Sequence, residues 1–223
     1  MISLNNYCLY RNKDLIENAS LEFDDSKIHV LFGESGIGKT SLLLSILGYL
    51  QPLSGEVLVD SRNLYSMAYK EKNCFINMNI GFLSQDGSLI DSISVLDNIT
   101  LPIMNDNDFI SGKQRAIELM EELGILELQN FTASRLSGGE KKRVEIARML
   151  INNPHYLIMD EPSANLDGEN VDRLSDLIRK YKEIGKTIII SSHDERMRKI
   201  SDHTTVYNIK DRQIVRVDEN KKE

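Results

Sequence analysis

The most constraining feature of the sequence is a glycine-rich loop that lies between a short apolar run and an amphipathic segment. The apolar run is Ile28–Phe32, and the loop that follows reads GESGIGKT over residues 33–40. Beyond it, leucine and isoleucine recur at i, i+3, i+4 and i+7 from Leu43 to Leu50, which predicts a helix that reaches Leu50. A strand, a glycine loop and a helix in this order predict the β-to-α unit of a parallel α/β sheet.

The loop matches the pattern G-x-x-x-x-G-K-[ST] in the structural context that this pattern requires. Its glycines allow successive backbone N–H groups to curl around a phosphate, and the N-terminus of the following helix adds positive potential. Lys39 would bring a positive charge to the β- and γ-phosphates, and the Thr40 hydroxyl can bind Mg²⁺. The sequence therefore predicts a nucleoside-triphosphate site that includes Gly33, Ser35, Gly36, Gly38, Lys39, Thr40 and Ser41.

A second apolar run, residues 156–159, ends in the adjacent carboxylates Asp160 and Glu161. Ligands of open α/β sheets bind at the carboxyl ends of the strands, so both acids are predicted to face the phosphates. Asp160 is expected to act toward Mg²⁺. Glu161 is expected to be the base that orients and deprotonates the attacking water.

Further segments predict the rest of the architecture. Apolar residues in 2–9 and 15–23 predict an opening antiparallel pair of strands around a polar turn at residues 10–14. Helical spacing before Gly124 and after Ser137, a helix over residues 171–181 and a strand over 187–191 predict alternating strands and helices, and hence a parallel sheet. Residues 204–209 and 213–217 predict a terminal hairpin, and the polar tail Asp218–Glu223 is expected to fray.

A helix start with two unexpected glycines follows the middle of the chain. Ser137 and Glu140 fit the N-cap and N3 positions of a capping box, whereas Gly138 and Gly139 each cost a helix roughly 0.5–1 kcal/mol relative to alanine. Bare N–H groups at a helix end are well suited to a phosphate. Residues 136–140, LSGGE, resemble the signature motif of ATP-binding-cassette (ABC) ATPases, and the resemblance extends along almost the whole chain.

The resemblance assigns roles to four more residues. Gln85 is similar to the family's Q-loop glutamine, which contacts Mg²⁺ and the attacking water and senses a transmembrane partner. Asp167, in the segment SANLD, resembles the D-loop that communicates between two ATP sites, and His193 resembles the switch histidine that bonds the γ-phosphate. Tyr10 is similar to the aromatic residue that stacks on adenine, with Tyr7 as the competing candidate.

Two positions depart from the family pattern. Glu140 stands where many members have glutamine, and Asp211-Arg212 replaces a frequent Asp-Gly, so a left-handed turn at Arg212 would carry a small strain.

Residues 79–83 and 94–102 resemble the subgroup that powers lipoprotein release, macrolide export, bacitracin-type peptide resistance and division-site permeases.

The resemblance implies an α/β P-loop NTPase of ABC type. It has a mostly parallel sheet core, an N-terminal antiparallel β region and a helical insert at about 89–136, all in one nucleotide-binding domain of residues 1–223.

The resemblance also implies that two copies sandwich two ATP molecules with Mg²⁺ and hydrolyse them to ADP and phosphate. In this sandwich, Ser137 and Gly139 of one copy would meet the γ-phosphate held by Lys39 of the other. The implied partner is a separate integral-membrane permease, contacted through the groove around Gln85 and the insert on the cytoplasmic face. Its cargo would be a peptide, lipid or antimicrobial.

Composition narrows the alternatives. The net charge of −7 over 223 residues argues against a nucleic-acid partner, and no apolar stretch approaches the roughly 20 residues needed to span a bilayer. The chain itself is therefore expected to be neither secreted nor membrane-spanning. Cys8 and Cys74 lack metal-ligand spacing, so neither a disulfide nor a zinc site is expected. A soluble ABC protein that acts on ribosomes or DNA, and an ATP-dependent mechanical or signalling module that translocates no solute, remain as alternatives.

Overall fold

Two β-sheets and seven α-helices make up the part of the chain that the computed structural model describes, namely residues 1–11, 14–104 and 109–217. The strands are β1 (Ile2–Tyr10), β2 (Asp14–Phe23), β3 (Ile28–Phe32), β4 (Ser54–Val59), β5 (Arg62–Asn63), β6 (Ile80–Leu83), β7 (Tyr156–Asp160), β8 (Thr187–Ser192), β9 (Thr204–Lys210) and β10 (Gln213–Val217). The helices are α1 (Lys39–Ile46), α2 (Tyr69–Asn79), α3 (Val95–Thr100), α4 (Phe109–Glu122), α5 (Gly138–Leu150), α6 (Gly168–Glu183) and α7 (Glu195–Arg198).

The larger sheet has the order β10-β9-β3-β8-β7-β6, and all its neighbouring pairs are parallel except the hairpin of β9 and β10. Its central strands are apolar on both faces. Leu157 and Met159 of β7 pack into one apolar cluster, whereas Tyr156 and Ile158 pack into the other. Burial of both faces explains the unbroken apolar runs in the sequence. The register places Asp160 beside Ser191, so the carboxyl ends of β7 and β8 lie together.

The smaller sheet is antiparallel, with the order β2-β1-β4-β5. Ile2 of β1 lies opposite Phe23 of β2 and opposite Val59 of β4. The predicted N-terminal antiparallel region and parallel core are thus both confirmed. Elements β4, β5 and α2 were not predicted, although the apolar residues of 57–59 carry a strand signal.

Helix α1 is shorter than the sequence spacing predicts. It ends at Ile46 because Gly48 adopts a left-handed φ of 71°. Gly48 N donates to Ser45 O and Tyr49 N donates to Leu44 O, which is the Schellman arrangement that closes a helix. Leu50 therefore lies beyond the helix, and the prediction that the helix reaches it is wrong.

Helices α3 and α4 and three short 3₁₀ turns, at 101–103, 126–128 and 133–135, form the helical insert before α5. Its predicted bounds of 89–136 stay a prediction. Gly124, with a φ of 62°, ends α4 as expected. The predicted strain is present at the β9–β10 turn, where Asp211 and Arg212 have φ values of 50° and 63°.

The polar tail 218–223 lies outside the described residues, as do residues 12 and 13 of the predicted turn. Cys8 is half-buried, Cys74 is exposed, and both are free thiols. None of the helices in the described ranges is long and apolar enough to cross a membrane.

Candidate active site

The glycine loop and the first turn of α1 border a cavity of about 510 Å³. Gly36 and Gly38 have φ values of 77° and 116°, in the left-handed region that favours glycine. A Cβ at Gly33 would lie 3.0 Å from Ile209 O, so the loop also passes close to β9. The first N–H groups of α1 have no acceptor within the helix. The residues that line the cavity are Arg11, Leu15, Ser35, Gly36, Gly38, Lys39, Thr40, Ser41, Gln85 and Glu161.

Lys39 lines this cavity and is buried, with 5% of its surface exposed. Its ammonium group donates to Gly33 O at 2.7 Å and to Glu34 O at 3.1 Å, and it lies 3.0 Å from Glu161 Oε1. A buried charge requires partners of this kind. The positive charge is therefore held in place beside the predicted base, in the cavity that is predicted to hold the phosphates.

Glu161 connects the loop lysine to the predicted switch histidine. Its Oε2 atom lies 2.9 Å from His193 Nδ1, so its two carboxylate oxygens contact Lys39 and His193 separately. Glu161 has a φ of 46°, which costs a residue with a side chain about 1–2 kcal/mol. Its N–H donates to Ser191, with both the carbonyl and the hydroxyl oxygen at 3.1 Å, and this contact holds the strained turn at the end of β7.

The residues predicted to meet Mg²⁺ offer only oxygen donors. Thr40 and Gln85 line the same cavity, whereas buried Asp160 is not among its described lining residues; it directly precedes Glu161, which is, and it accepts a hydrogen bond from the Ser191 hydroxyl. Hydroxyl, amide and carboxylate oxygens are the ligands that Mg²⁺ prefers, so this set fits the ion. When bound, Mg²⁺ would neutralise charge on the β- and γ-phosphates.

Ser137 caps α5 in the predicted capping box. Its hydroxyl and its N–H both donate to Glu140 Oε2 at 2.7 Å, and its Oγ accepts from Glu140 N at 3.4 Å. The hydrogen bond from the Ser137 hydroxyl, followed by that from its N–H, lowers the pKa of Glu140. Glu140, the departure from the family pattern, is therefore an ionised capping residue at neutral pH.

The glycines that follow Ser137 are not required by packing within the chain. Among the described residues, a Cβ at Gly138 would meet nothing within 4 Å, and one at Gly139 would come no closer than 3.8 Å to any atom. Ser137, Gly138 and Gly139 also do not line the Lys39 cavity in the described part of the chain.

Asp167, the predicted D-loop residue, caps α6 by accepting a hydrogen bond from Asn170 N.

The two candidates for adenine stacking differ in exposure. Tyr7 is fully buried, and burial raises the pKa of its hydroxyl, whereas Tyr10 is 50% exposed at the end of β1. Arg11 and Leu15, on either side of the β1–β2 turn, line the phosphate cavity. These two positions were not among the predicted site residues, although their proximity to Tyr10 in sequence could have indicated them. The exposure favours Tyr10, and its role stays a prediction.

The phosphate loop follows β3, an inner strand of the mostly parallel sheet, and the chain adds an antiparallel sheet and a helical insert before the capped helix α5. These features together define the class of P-loop ATPase cassettes. The model of the ABC transporter family matches residues 16–164, more than half of the chain. The chain therefore belongs to the ABC transporter family. Members bind ATP with Mg²⁺ and hydrolyse it, and we assign the same ATPase activity to this protein.

Curated relatives match along most of their length. The lipoprotein-releasing system ATP-binding protein LolD of Bacteroides thetaiotaomicron is 36% identical over 198 residues, which cover 85% of this chain and 88% of the relative. LolD of Leptospira interrogans is 32% identical over 186 residues, covering 83% and 78%. The dimeric ABC transporter cassette MJ0796 has a TM-score of 0.85 at 27% identity, with 96% of each chain covered. A second dimeric structure of MJ0796, in a post-hydrolysis state with ADP and Pi, matches equally well.

Proposed function

We propose that this ATPase works as a dimer that closes on two ATP molecules and drives a separate membrane permease that handles a lipoprotein, another lipid or a peptide. The dimeric MJ0796 structures support the first part, and the resemblance to LolD supports the second. The protein would then lie on the cytoplasmic face of the membrane, held there by the permease.

One observation carries the dimer. Lys39 and Glu161 line one cavity, whereas the N-terminus of α5, with its sterically unneeded glycines, lies outside that cavity in the described structure. On this proposal, one chain carries both halves of an ATP site, but the two halves lie apart. A second copy related by two-fold symmetry would bring its Ser137 to the phosphate at Lys39, and the reverse.

The contacts of Glu161 suggest how hydrolysis depends on ATP. Its Oε1 atom is paired with Lys39, 3.0 Å away. A γ-phosphate that attracts Lys39 leaves Oε1 available to accept a proton from water as the water oxygen attacks the γ-phosphorus and the bond to the β-phosphate oxygen breaks. His193, 2.9 Å from Oε2, keeps the carboxylate oriented.

Mixing of two inactive variants tests the shared site. Ser137→Arg blocks the cap and Lys39→Ala removes the phosphate lysine, so each mixed dimer has one site with both lesions and one intact site. Random pairing at equal concentrations should restore about a quarter of the wild-type rate. A mixture of Lys39→Ala with Glu161→Gln is the matched control, because both lesions lie in the same half and every site is damaged. Demonstrated mixed dimers with no recovery would contradict the shared site, or would show that both sites must work together.

A groove lined by Ser88, three residues after Gln85, supports the permease proposal. A cavity of about 340 Å³ lies between the α2–β6 segment, the 3₁₀ turn at 101–103 and α5, and Ser88, Leu101 and Arg148 are among its lining residues. Leu101 in its lining is 39% exposed, and Met104, two residues after the lining residue Pro102, is 58% exposed. Exposed apolar groups around a concave surface are typical of protein interaction sites.

Copurification from native membranes tests this assignment. Leu101→Glu should abolish retention of a membrane protein while ATP hydrolysis by the isolated chain persists. Ile184→Glu, which changes an equally apolar residue that is 62% exposed outside the groove, should retain the partner. If wild-type protein retains no membrane protein, the permease proposal fails and the soluble alternative is favoured.

The cargo requires a second measurement. Vesicles that contain the copurified permease would receive a labelled lipoprotein or a labelled peptide, and stimulated ATP hydrolysis with movement of the label would identify the cargo. Stimulation without movement of either label would favour the mechanical or signalling alternative.

A further inference from the structure

Helix α5 holds the loop after Gln85 through both backbone groups of one residue, Ser88. Glu145 Oε1 accepts a hydrogen bond from Ser88 N at 3.3 Å, and Arg148 Nη1 donates to Ser88 O at 2.9 Å. Arg148 Nη2 also donates to the Ser88 hydroxyl. Glu145 and Arg148 are three residues apart, so they share one face of the helix. We call these contacts the Ser88 clamp.

Glu145 is an unusual residue for the middle of a packed helix, since only 6% of its surface is exposed. Lys142 Nζ lies 3.2 Å from Glu145 Oε2, which balances the buried charge. The other oxygen, Oε1, is directed at the loop. Gly87 makes this contact possible: its φ is +75°, and a Cβ there would lie 2.5 Å from Oε1. The loop sequence and the carboxylate are thus fitted to each other.

The clamp links two parts of the active site that the chain keeps apart. Glu145 lies eight residues after Ser137, or about 12 Å along α5, whose N-terminus is the proposed cap for the phosphate of the other copy. At the other end of the linkage, Ser88 is three residues after Gln85. A rigid helix that is fixed to this loop makes the cap and Gln85 parts of one body.

We propose that Glu145, together with Arg148, is a positioning residue that sets the place of Gln85 at the reacting phosphate. Gln85 acts on Mg²⁺ and water, so its displacement lowers kcat while ATP binding through Lys39 persists. The inference rests on the proposed role of Gln85. It goes beyond that role because it names the residues on α5 that keep the glutamine in position.

Steady-state ATP hydrolysis by the full-length chain, with rates normalised to the folded fraction, tests the proposal. Glu145→Ala should lower kcat by about 10-fold or more with KM unchanged. Glu145→Gln keeps an oxygen acceptor for Ser88 N, so its kcat should remain within about 3-fold of wild type.

Gly87→Ala reaches the same contact from the loop side, without altering α5. Its methyl group would lie 2.5 Å from Oε1 and displace it, so the variant should lower kcat as Glu145→Ala does. Gly124→Ala is the matched control, because its φ of +62° imposes a similar backbone strain and its Cβ would meet nothing described within 4 Å. The double variant Gly87→Ala/Glu145→Ala should be no slower than Glu145→Ala alone, because the clash is gone.

The outcomes separate this inference from the role of Gln85. Gln85→Ala serves as the reference, and a loss of kcat there with wild-type kcat in folded Glu145→Ala and Gly87→Ala overturns the positioning role alone. Wild-type kcat in Gln85→Ala overturns the role of Gln85, and the inference with it. Additive losses in the double variant would also contradict the clamp, because they would show that Gly87 and Glu145 act independently.

Discussion

The substitution Glu161→Gln separates the proposed catalytic task of this carboxylate from its ion pair with Lys39. It keeps the size of the side chain and one oxygen acceptor, but it removes both the proposed base and the negative charge that lies 3.0 Å from Lys39. Turnover should fall by about 10²–10⁴-fold, the usual contribution of general-base catalysis. ATP binding should survive, because the glycine loop and Lys39 are unchanged.

The ion pair adds a second effect, on stability. Both partners are less than a tenth exposed, and loss of the carboxylate leaves a buried ammonium group whose remaining acceptors are Gly33 O, Glu34 O and the new amide. Because these acceptors remain, we expect a loss of about 2 kcal/mol, below the roughly 3–5 kcal/mol for breaking a fully buried pair. For a domain of this size that corresponds to a fall in Tm of roughly 4–8 °C without nucleotide.

Mg²⁺-ATP should reverse the loss, since its phosphates supply the missing charge to Lys39. Ligand at about 1,000 times its Kd stabilises the folded state by about 4 kcal/mol. The variant should gain more in Tm from ATP than wild type gains, because only in the variant do the phosphates replace a missing partner of Lys39. Uncleaved ATP should also keep the dimer closed, which light scattering after gel filtration would detect with Mg²⁺-ATP but not with Mg²⁺-ADP. Hydrolysis at the wild-type rate would refute Glu161 as the base. A Tm equal to that of wild type without nucleotide would refute the reasoning from the ion pair.

Three further predictions follow from the same geometry. Lys39→Ala should abolish the ATP binding that calorimetry detects. Lys27→Ala, which removes an exposed ion pair with Asp24, should bind ATP normally. Unchanged ATP affinity in folded Lys39→Ala would exclude a role of Lys39 at the phosphates. Tyr10→Ala should weaken ATP binding by roughly 10-fold at unchanged kcat, as expected for a lost base stack. Tyr49→Ala, at a tyrosine that is 64% exposed, should leave ATP binding unchanged. The same effect in folded Tyr7→Ala but not in Tyr10→Ala would make Tyr7 the adenine-stacking residue. Burial lowers the pKa of His29, whose Nε2 lies 2.9 Å from Asp24 O and whose buried Nδ1 has no partner among the described residues. The unfolded chain then binds more protons, so stability is full above the unfolded pKa of about 6.5 and falls as the pH decreases below it. His29→Gln should flatten the fall in Tm between about pH 7 and pH 5.5, and exposed His203→Gln should not; an equal slope in His29→Gln would contradict the assignment.

The parts of the fold that were predictable are those in which local sequence and tertiary environment agree. The strands of the parallel sheet are buried on both faces, so their apolar runs are unbroken and easily recognised. The cap of α5 was predictable because Ser137 and Glu140 carry the whole capping box between them. In the glycine loop, the residue types at residues 33–40 are tied to one backbone shape, so the sequence pattern indicates the cavity directly.

The remaining features depend on contacts that no local pattern contains. The spacing of apolar residues extends helix α1 to Leu50, because periodicity does not show that Gly48 turns left-handed. Tyr7 and Tyr10 are the same residue type three positions apart, and only their burial separates them. The Ser88 clamp joins residues that are 57 and 60 positions apart in sequence, so neither Glu145 nor Arg148 indicates its partner before the chain is folded.

The arrangement of α5 explains why one helix can make hydrolysis depend on both proposed partners. Its N-terminus carries Ser137, which does not line the Lys39 cavity of its own chain in the described structure, so the proposed site is completed by a second copy. Farther along, Arg148 lines the proposed permease groove and also holds Ser88. A permease that shifts this groove therefore moves the loop of Gln85 together with the helix that carries Ser137, because the clamp prevents them from moving separately. A helix fixed in this way would transmit one displacement to the water-activating side of its own ATP site and to the phosphate cap of the other site.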